Sequence, residues 1–150
     1  MKRIITLLLA VMTAVSLVAC GDKASATVDA AGLGKALAER VQFDTTALSA
    51  IDAGDYLELP EKCEASAYMS DGSTVEEIFV VQCSDKTDAS AVKVSMQSLL
   101  DSQKQEMERY KPEEVARLDN AIFATYGTCV VLCVTNDTDT ANAVIKEFVG

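Results

Sequence analysis

Histidine and tryptophan are absent from this 150-residue chain, proline occurs twice, and aromatic residues make up only 5% of it. Without histidine the chain lacks the commonest general base at neutral pH and the commonest metal ligand. Serine–histidine and cysteine–histidine nucleophile pairs are therefore excluded within it, as is any zinc site that needs an imidazole. Positive charge is scarce too: 13 Lys and Arg stand against 23 Asp and Glu, a net charge of −10. So acidic a chain repels a phosphate backbone, and no nucleic-acid partner is expected.

Apolar residues are plentiful, and their longest run stands at the very start. Lys2 and Arg3 precede "IITLLLAVMTAVSLVA" (residues 4–19), a basic region followed by an apolar one. This is the layout of a secretory signal. Thr6, Thr13 and Ser16 interrupt the run, which falls short of the roughly 18 apolar residues of a spanning helix. It ends at "LVAC" (17–20), which resembles a lipobox: aliphatic, aliphatic or small, small, then cysteine. In such signals the cysteine thiol takes a diacylglyceryl group, and a peptidase cuts just before it. Signal cleavage is therefore expected between Ala19 and Cys20, with lipid attachment on Cys20. Acyl chains anchor by about 0.8 kcal/mol per buried methylene, and two chains hold a soluble domain stably. The expected location is the extracytoplasmic face of the cell membrane.

From Cys20 onward 131 residues remain, which suits one domain. Their net charge is −12, because Lys2 and Arg3 lie in the removed segment. Anionic headgroups are then poor partners, so the lipid rather than surface charge is expected to hold the domain at the membrane. Residues 20–28 read as a flexible tether of small and polar side chains, and 29–150 as a single α+β domain. In "DAAGLGKALAERVQF" Leu33, Leu37 and Val41 recur every four residues behind Asp29, a good N-cap, although Gly32 and Gly34 weaken the helix. Residues 44–62 read as irregular. "CEASAYMS" (63–70) and "VEEIFVVQC" (75–83) flank the turn-like "DGS" and predict a β-hairpin. A long helix follows, with Val92, Met96, Leu99, Gln103, Met107 and Tyr110 on one face, ending before Pro112. A second hairpin spans residues 120–135 around Tyr126-Gly127, and a last helix, capped by Asp137 or Asp139, runs through Val144, Ile145 and Phe148.

The two halves resemble each other, most closely in "SDKTDASAV" (84–92) and "NDTDTANAV" (136–144). The expected architecture is a four-stranded antiparallel sheet built from two β-hairpin–helix units, with the helices on one face and an N-terminal helix before them. Three stretches carry a further resemblance: "LVAC", "GSTVEEIFVVQ" (72–82) and "KPEEVARLDNAIFATYGTCVVLCVTND" (111–137). Together they resemble a family of small bacterial lipoproteins, mostly clostridial, that carry a domain of unknown function, DUF4358, over roughly residues 29–149. The resemblance implies placement and fold. It brings no catalytic residues to this chain, and the cysteines of the second hairpin depart from the aliphatic or aromatic residues usual there.

Four cysteines remain besides Cys20. Cys129 and Cys133, four apart on one strand, share a face at roughly 13 Å and cannot bond to each other. Cys63 and Cys83 face each other if the first hairpin pairs residue 70 with 76, which would allow a disulfide. The alternative is that all four are small buried hydrophobes. The acidic clusters at 84–88 and 136–140 lack the glycine and distal glutamate of a calcium loop and read as helix caps, so no metal site or cofactor is expected. Glu76 and Glu77, neighbours on a strand, point to opposite faces and are not expected to act together as acid and base, and both Glu76-Glu77 and Glu113-Glu114 read as solvated surface. No catalytic residue is assigned. The expected role is a non-enzymatic, lipid-anchored domain that binds an unidentified protein or small molecule at the envelope. The alternatives are the ligand-capture component of a transport system and a thiol-based redox protein.

Overall fold

The computed structural model describes residues 27–150. Cys20, the Ala19–Cys20 cleavage position and most of the tether lie outside them. Asp29 caps the first helix, α1 (Ala30–Arg40), its carboxylate accepting from the Gly32 N–H. Strand β1 (Leu48–Ile51) and a short 3₁₀ turn, Ala53–Asp55, come next. Then follow β2 (Glu64–Ser70), β3 (Glu77–Gln82), α2 (Lys86–Tyr110), α3 (Pro112–Asp119), β4 (Ile122–Tyr126), β5 (Cys129–Val134) and α4 (Thr138–Val149). No helix among the described residues is long and apolar enough to cross a membrane.

The strands form one antiparallel sheet in the order β1-β2-β3-β5-β4. It has five strands rather than four, because residues 48–51 add an edge strand inside the stretch read as irregular. The two hairpins lie side by side through β3 and β5, whose pairing runs from Glu77 opposite Val134 to Gln82 opposite Cys129. The second hairpin closes through Gly127-Thr128. Gly127 has φ 62° and among the described residues none other than glycine has a positive φ, so Thr128 does not, the pattern of a type II′ turn.

The helices cover both faces, not one. Alternate residues of β3 and β5 point to opposite sides of the sheet. Phe79, Val81, Val130, Leu132 and Val134 pack with α2 and α3 through Val92, Met96, Leu100 and Leu118. Ile78, Val80, Cys129, Val131 and Cys133 pack with α1 and α4 through Leu33, Leu37, Val144 and Ile145. The two central strands are thus buried along their whole length, which is why "IFVV" and "CVVLCV" are continuously apolar instead of alternating. Tyr110, placed on the buried face of α2 by its spacing, is 75% exposed, because the core contact of that helix ends a turn earlier.

The helix positions also bear on the internal repeat. Asp85 and Asp137 cap α2 and α4 in the same way, each accepting backbone N–H groups of the first turn. Yet β3 and β5 are antiparallel neighbours while α2 and α4 lie on opposite faces. No rotation brings one hairpin–helix unit onto the other, since a two-fold axis through an antiparallel pair keeps each helix on its own face. The similarity of the two segments is therefore capping chemistry.

Gly34 explains one oddity of α1. A Cβ there would overlap the Ser66 hydroxyl on β2, so a bare backbone lets α1 lie close on the sheet.

Candidate functional site

Two features outside the ordinary core stand out: a polar knot at one end of the sheet and an open groove along α2. The knot is built where the loop after α1, the first hairpin loop, α3 and the end of β5 converge. Glu76, just before β3, and Glu77, its first residue, are fully buried rather than solvated. Their side chains do point to opposite faces, as strand geometry requires, but both faces are covered by helices. One Glu76 oxygen accepts from the Thr45 N–H at 2.8 Å and from the Thr74 hydroxyl at 3.1 Å. Glu77 accepts one bond, from the Gln103 amide on α2 at 2.8 Å. Neither carboxyl is in an ion pair among the described residues. Burial pushes the Glu77 carboxyl up to about 7, only partly opposed by the Gln103 bond.

The orphan atoms around Glu77 make chemical sense together. Its Oε1 and the Oε1 of Gln103 are both buried without partners. A protonated Glu77 has an O–H to donate where an ionised one has none, and Gln103 keeps a spare carbonyl acceptor. A neutral Glu77 thus has a proton to offer beside an acceptor that Gln103 leaves unused.

Around this pair the knot is tied by charge. Arg117 on α3 donates to Glu114 at 2.8 Å and to Asp44 at 2.6 Å. Glu114 also accepts the Val75 N–H, and Lys111 donates to the carbonyls of Gly72 and Ser73, which pins the hairpin loop to α3. Asn136 reaches Asp44 from the end of β5. Asp71 accepts from Ser73, Thr46 and Thr45, and these bonds hold its carboxyl down at about 2. Every one of these side chains ties one backbone segment to another. The chemistry is that of a clamp, with the carboxylates occupied in holding loops.

The groove lies on the outer side of α2. Gly54 to Glu58 form one wall and Ala91, Val94, Ser95, Ser98, Leu99 and Ser102 the other, around about 530 Å³. The Glu58 N–H donates to the Ser95 hydroxyl at 2.9 Å, which fixes the walls relative to each other. Tyr56 and Val94, two of the few large apolar side chains left exposed (45% and 67%), flank it. Tyr56 also sets its ring edge-on to buried Phe79 at 6.2 Å, so its position is anchored by the core.

The cysteines take separate places. Residue 70 does oppose 76, shown by the Ser70 N–H to Glu76 carbonyl bond, and Cys63 and Cys83 are joined as a disulfide. Cys129 and Cys133 are free and buried on the α1/α4 face. Burial pushes their thiols up to about 11 and about 12, Cys133 further because it is the more deeply buried and, to a smaller extent, because Glu76 and Glu77 are near. Of the sequence-predicted acids, Asp85 and Asp137 are caps, Glu114 belongs to the knot and Glu113 is exposed. No group of three or more His, Cys, Asp and Glu placed to hold a metal occurs among the described residues. The burial of Glu76 and Glu77 runs against the solvated surface that their residue type predicts. Its signal was their position at the head of a strand too apolar to have a wet face.

The family model for the Domain of unknown function (DUF4358) matches residues 60–135. The chain belongs to this family. The matched stretch of the DUF4358 domain runs from the disulfide through β5. It holds the first hairpin with Glu76 and Glu77, all of α2 with one wall of the groove, and Arg117. No curated protein and no solved structure matches the chain.

Proposed function

We propose that this DUF4358 protein is a lipoprotein, anchored through Cys20 at the extracytoplasmic face of the cell membrane, that works by binding rather than by turnover. The observation that carries the placement is the Cys63–Cys83 disulfide, which supports export: such bonds persist in oxidising compartments and are rare in a reducing cytosol. It agrees with the basic-then-apolar start and the "LVAC" motif ahead of the domain.

The groove along α2 supports the binding role. Its size is that of a ligand cleft, and it combines apolar side chains from Tyr56, Val94 and Leu99 with three serine hydroxyls. The buried acids support it less directly, since each is engaged in holding backbone segments together. Thiol chemistry is disfavoured by the high pKa and full burial of Cys129 and Cys133, because the thiolate is the reactive form.

Fractionation tests the anchoring. Wild-type protein should pellet with membranes and partition into detergent, and Cys20→Ala should be released or left unprocessed. A Cys20→Ala protein that stays anchored and is cut like wild type overturns the proposal. For the groove, Ser98→Arg should fill the cleft without touching the core, and should abolish whatever binding the wild-type domain shows.

A further inference from the structure

The sheet ends at β4, and among the described residues no strand lies beyond it. Exposed edges of this kind are usually blunted by a charge, a proline, a bulge or shortness. The opposite edge, β1, has only four residues and runs directly into Asp52. The β4 edge is one residue longer and pairs with β5 without a bulge. From Ala121 to Thr128 the sequence "AIFATYGT" contains no charged residue and no proline. The two-residue turn makes Tyr126 and Cys129 a hydrogen-bonded pair, so Tyr126, Ala124 and Ile122 turn their backbone groups toward β5. The N–H and C=O groups of Phe123 and Thr125 face outward.

We infer that β4 pairs antiparallel with β4 of a second copy of this chain, about a two-fold axis at Ala124, continuing the five-stranded sheet of each copy into its partner. The strand is self-complementary in that register. Phe123 of one copy exchanges its two backbone bonds with Thr125 of the other, using the outward groups. Ala124, the smallest side chain of the strand, meets its own copy at the axis, where a non-hydrogen-bonded pair brings Cα atoms to about 4.5 Å. Ile122 falls opposite Tyr126, an aliphatic–aromatic cross-strand pair.

Charge at the two ends of the strand favours the same partner. Lys86 and Lys93 line a hollow with Thr125 and Gly127 at one end. Asp119, its side chain 58% exposed despite an ion pair with Lys104, and exposed Asn120 precede the other end. The two-fold axis places Gly127 opposite Ala121 of the other copy, so each lysine pair lies toward the end that carries the half-exposed Asp119 carboxylate, shared there with Lys104. An unrelated extended peptide would gain the backbone bonds but would need to supply this complement itself.

Ala124→Cys in the full chain, expressed in its own envelope, tests the arrangement. A Cα separation of about 4.5 Å lies within the roughly 4.4–6.8 Å that a disulfide spans. Mild oxidation should shift the main band on a non-reducing gel to twice the monomer's mass, and reduction should restore it. Gln105→Cys, on the exposed side of α2, reports random collision and should stay monomeric. If Ala124→Cys fails to accumulate, the double variant Ile122→Cys/Tyr126→Cys replaces it. Its two thiols are too far apart along one strand to bond within a chain, and it should dimerise through two cross-strand bonds. Dimer no more abundant than for Gln105→Cys in both variants overturns self-pairing. So does crosslinking to a product of another mass, which assigns the edge to a different protein.

Discussion

Raising the pH from 4.5 to 8 is expected to weaken the fold through Glu77. In the unfolded chain its carboxyl titrates near 4.5; buried beside Gln103 it titrates at about 7. Between these values the folded state holds a proton that the unfolded state has lost, so stability falls as pH rises. The contribution is fully present below pH 4.5, declines through the window and is exhausted just above 7. At 1.36 kcal/mol per pKa unit the total is about 3 kcal/mol, a large share of an ordinary domain's stability. Asp71, Asp137 and Glu147 shift the other way, their carboxyls held low by hydrogen bonds and, for Glu147, by Arg40. Their contributions are complete above the normal carboxylate range and fade only as pH falls through it, so these three do not oppose the Glu77 slope between pH 5 and 8. Urea unfolding of residues 21–150 at half-unit steps from pH 4.5 to 8 reads the slope directly. Glu77→Gln keeps the size, removes the charge and lets two amides pair in both directions with Gln103. It should flatten the slope and unfold at higher urea than wild type above pH 7. An unchanged slope in Glu77→Gln, or wild-type stability that rises across the window, would refute the reasoning.

Cys63→Ser/Cys83→Ser opens a loop of 20-residue separation and should cost about 3 kcal/mol by the chain-entropy argument, read as a lower urea midpoint that reductant no longer changes. Gly34→Ala should destabilise by about 1–3 kcal/mol through overlap with Ser66, despite alanine's better helix propensity, and Gly34→Ala/Ser66→Gly should recover most of the loss. Cys129 and Cys133 should resist a maleimide in the native state and react within minutes in denaturant; fast native labelling of either would revive the redox alternative.

Much of the local structure was legible in the residues. The Asp29 cap, the aspartate-capped starts of the two later helices and both hairpins follow from side chains that act on their own neighbours in the chain, whereas the 70–76 register and the choice of Asp137 over Asp139 needed the structure. What stayed hidden depends on distant partners. Leu48-Ser-Ala-Ile51 has no period of its own and becomes a strand only because β2 offers it an edge. An apolar run such as "CVVLCV" is compatible with a one-sided core packed tightly or with cover on both sides, and the choice is made by α1, which returns over the face that α2 leaves bare. The groove is similarly tertiary, joining residues 54–58 to a helix nearly forty residues away. Glu76 and Glu77 look like surface acids by type. One oxygen of each is satisfied on burial, Glu76 by Thr45 and nearby Thr74 and Glu77 by Gln103 on a distant helix, while the other oxygen of each has no partner.

Placement at the membrane is the claim on which the functional account turns, and the mature N-terminus tests it most directly. Mass spectrometry of the protein extracted from its native envelope should find a chain that begins at Cys20 and carries a diacylglyceryl group on the sulfur. A chain that retains residues 1–19, or one that begins elsewhere with the Cys20 thiol free, would contradict it.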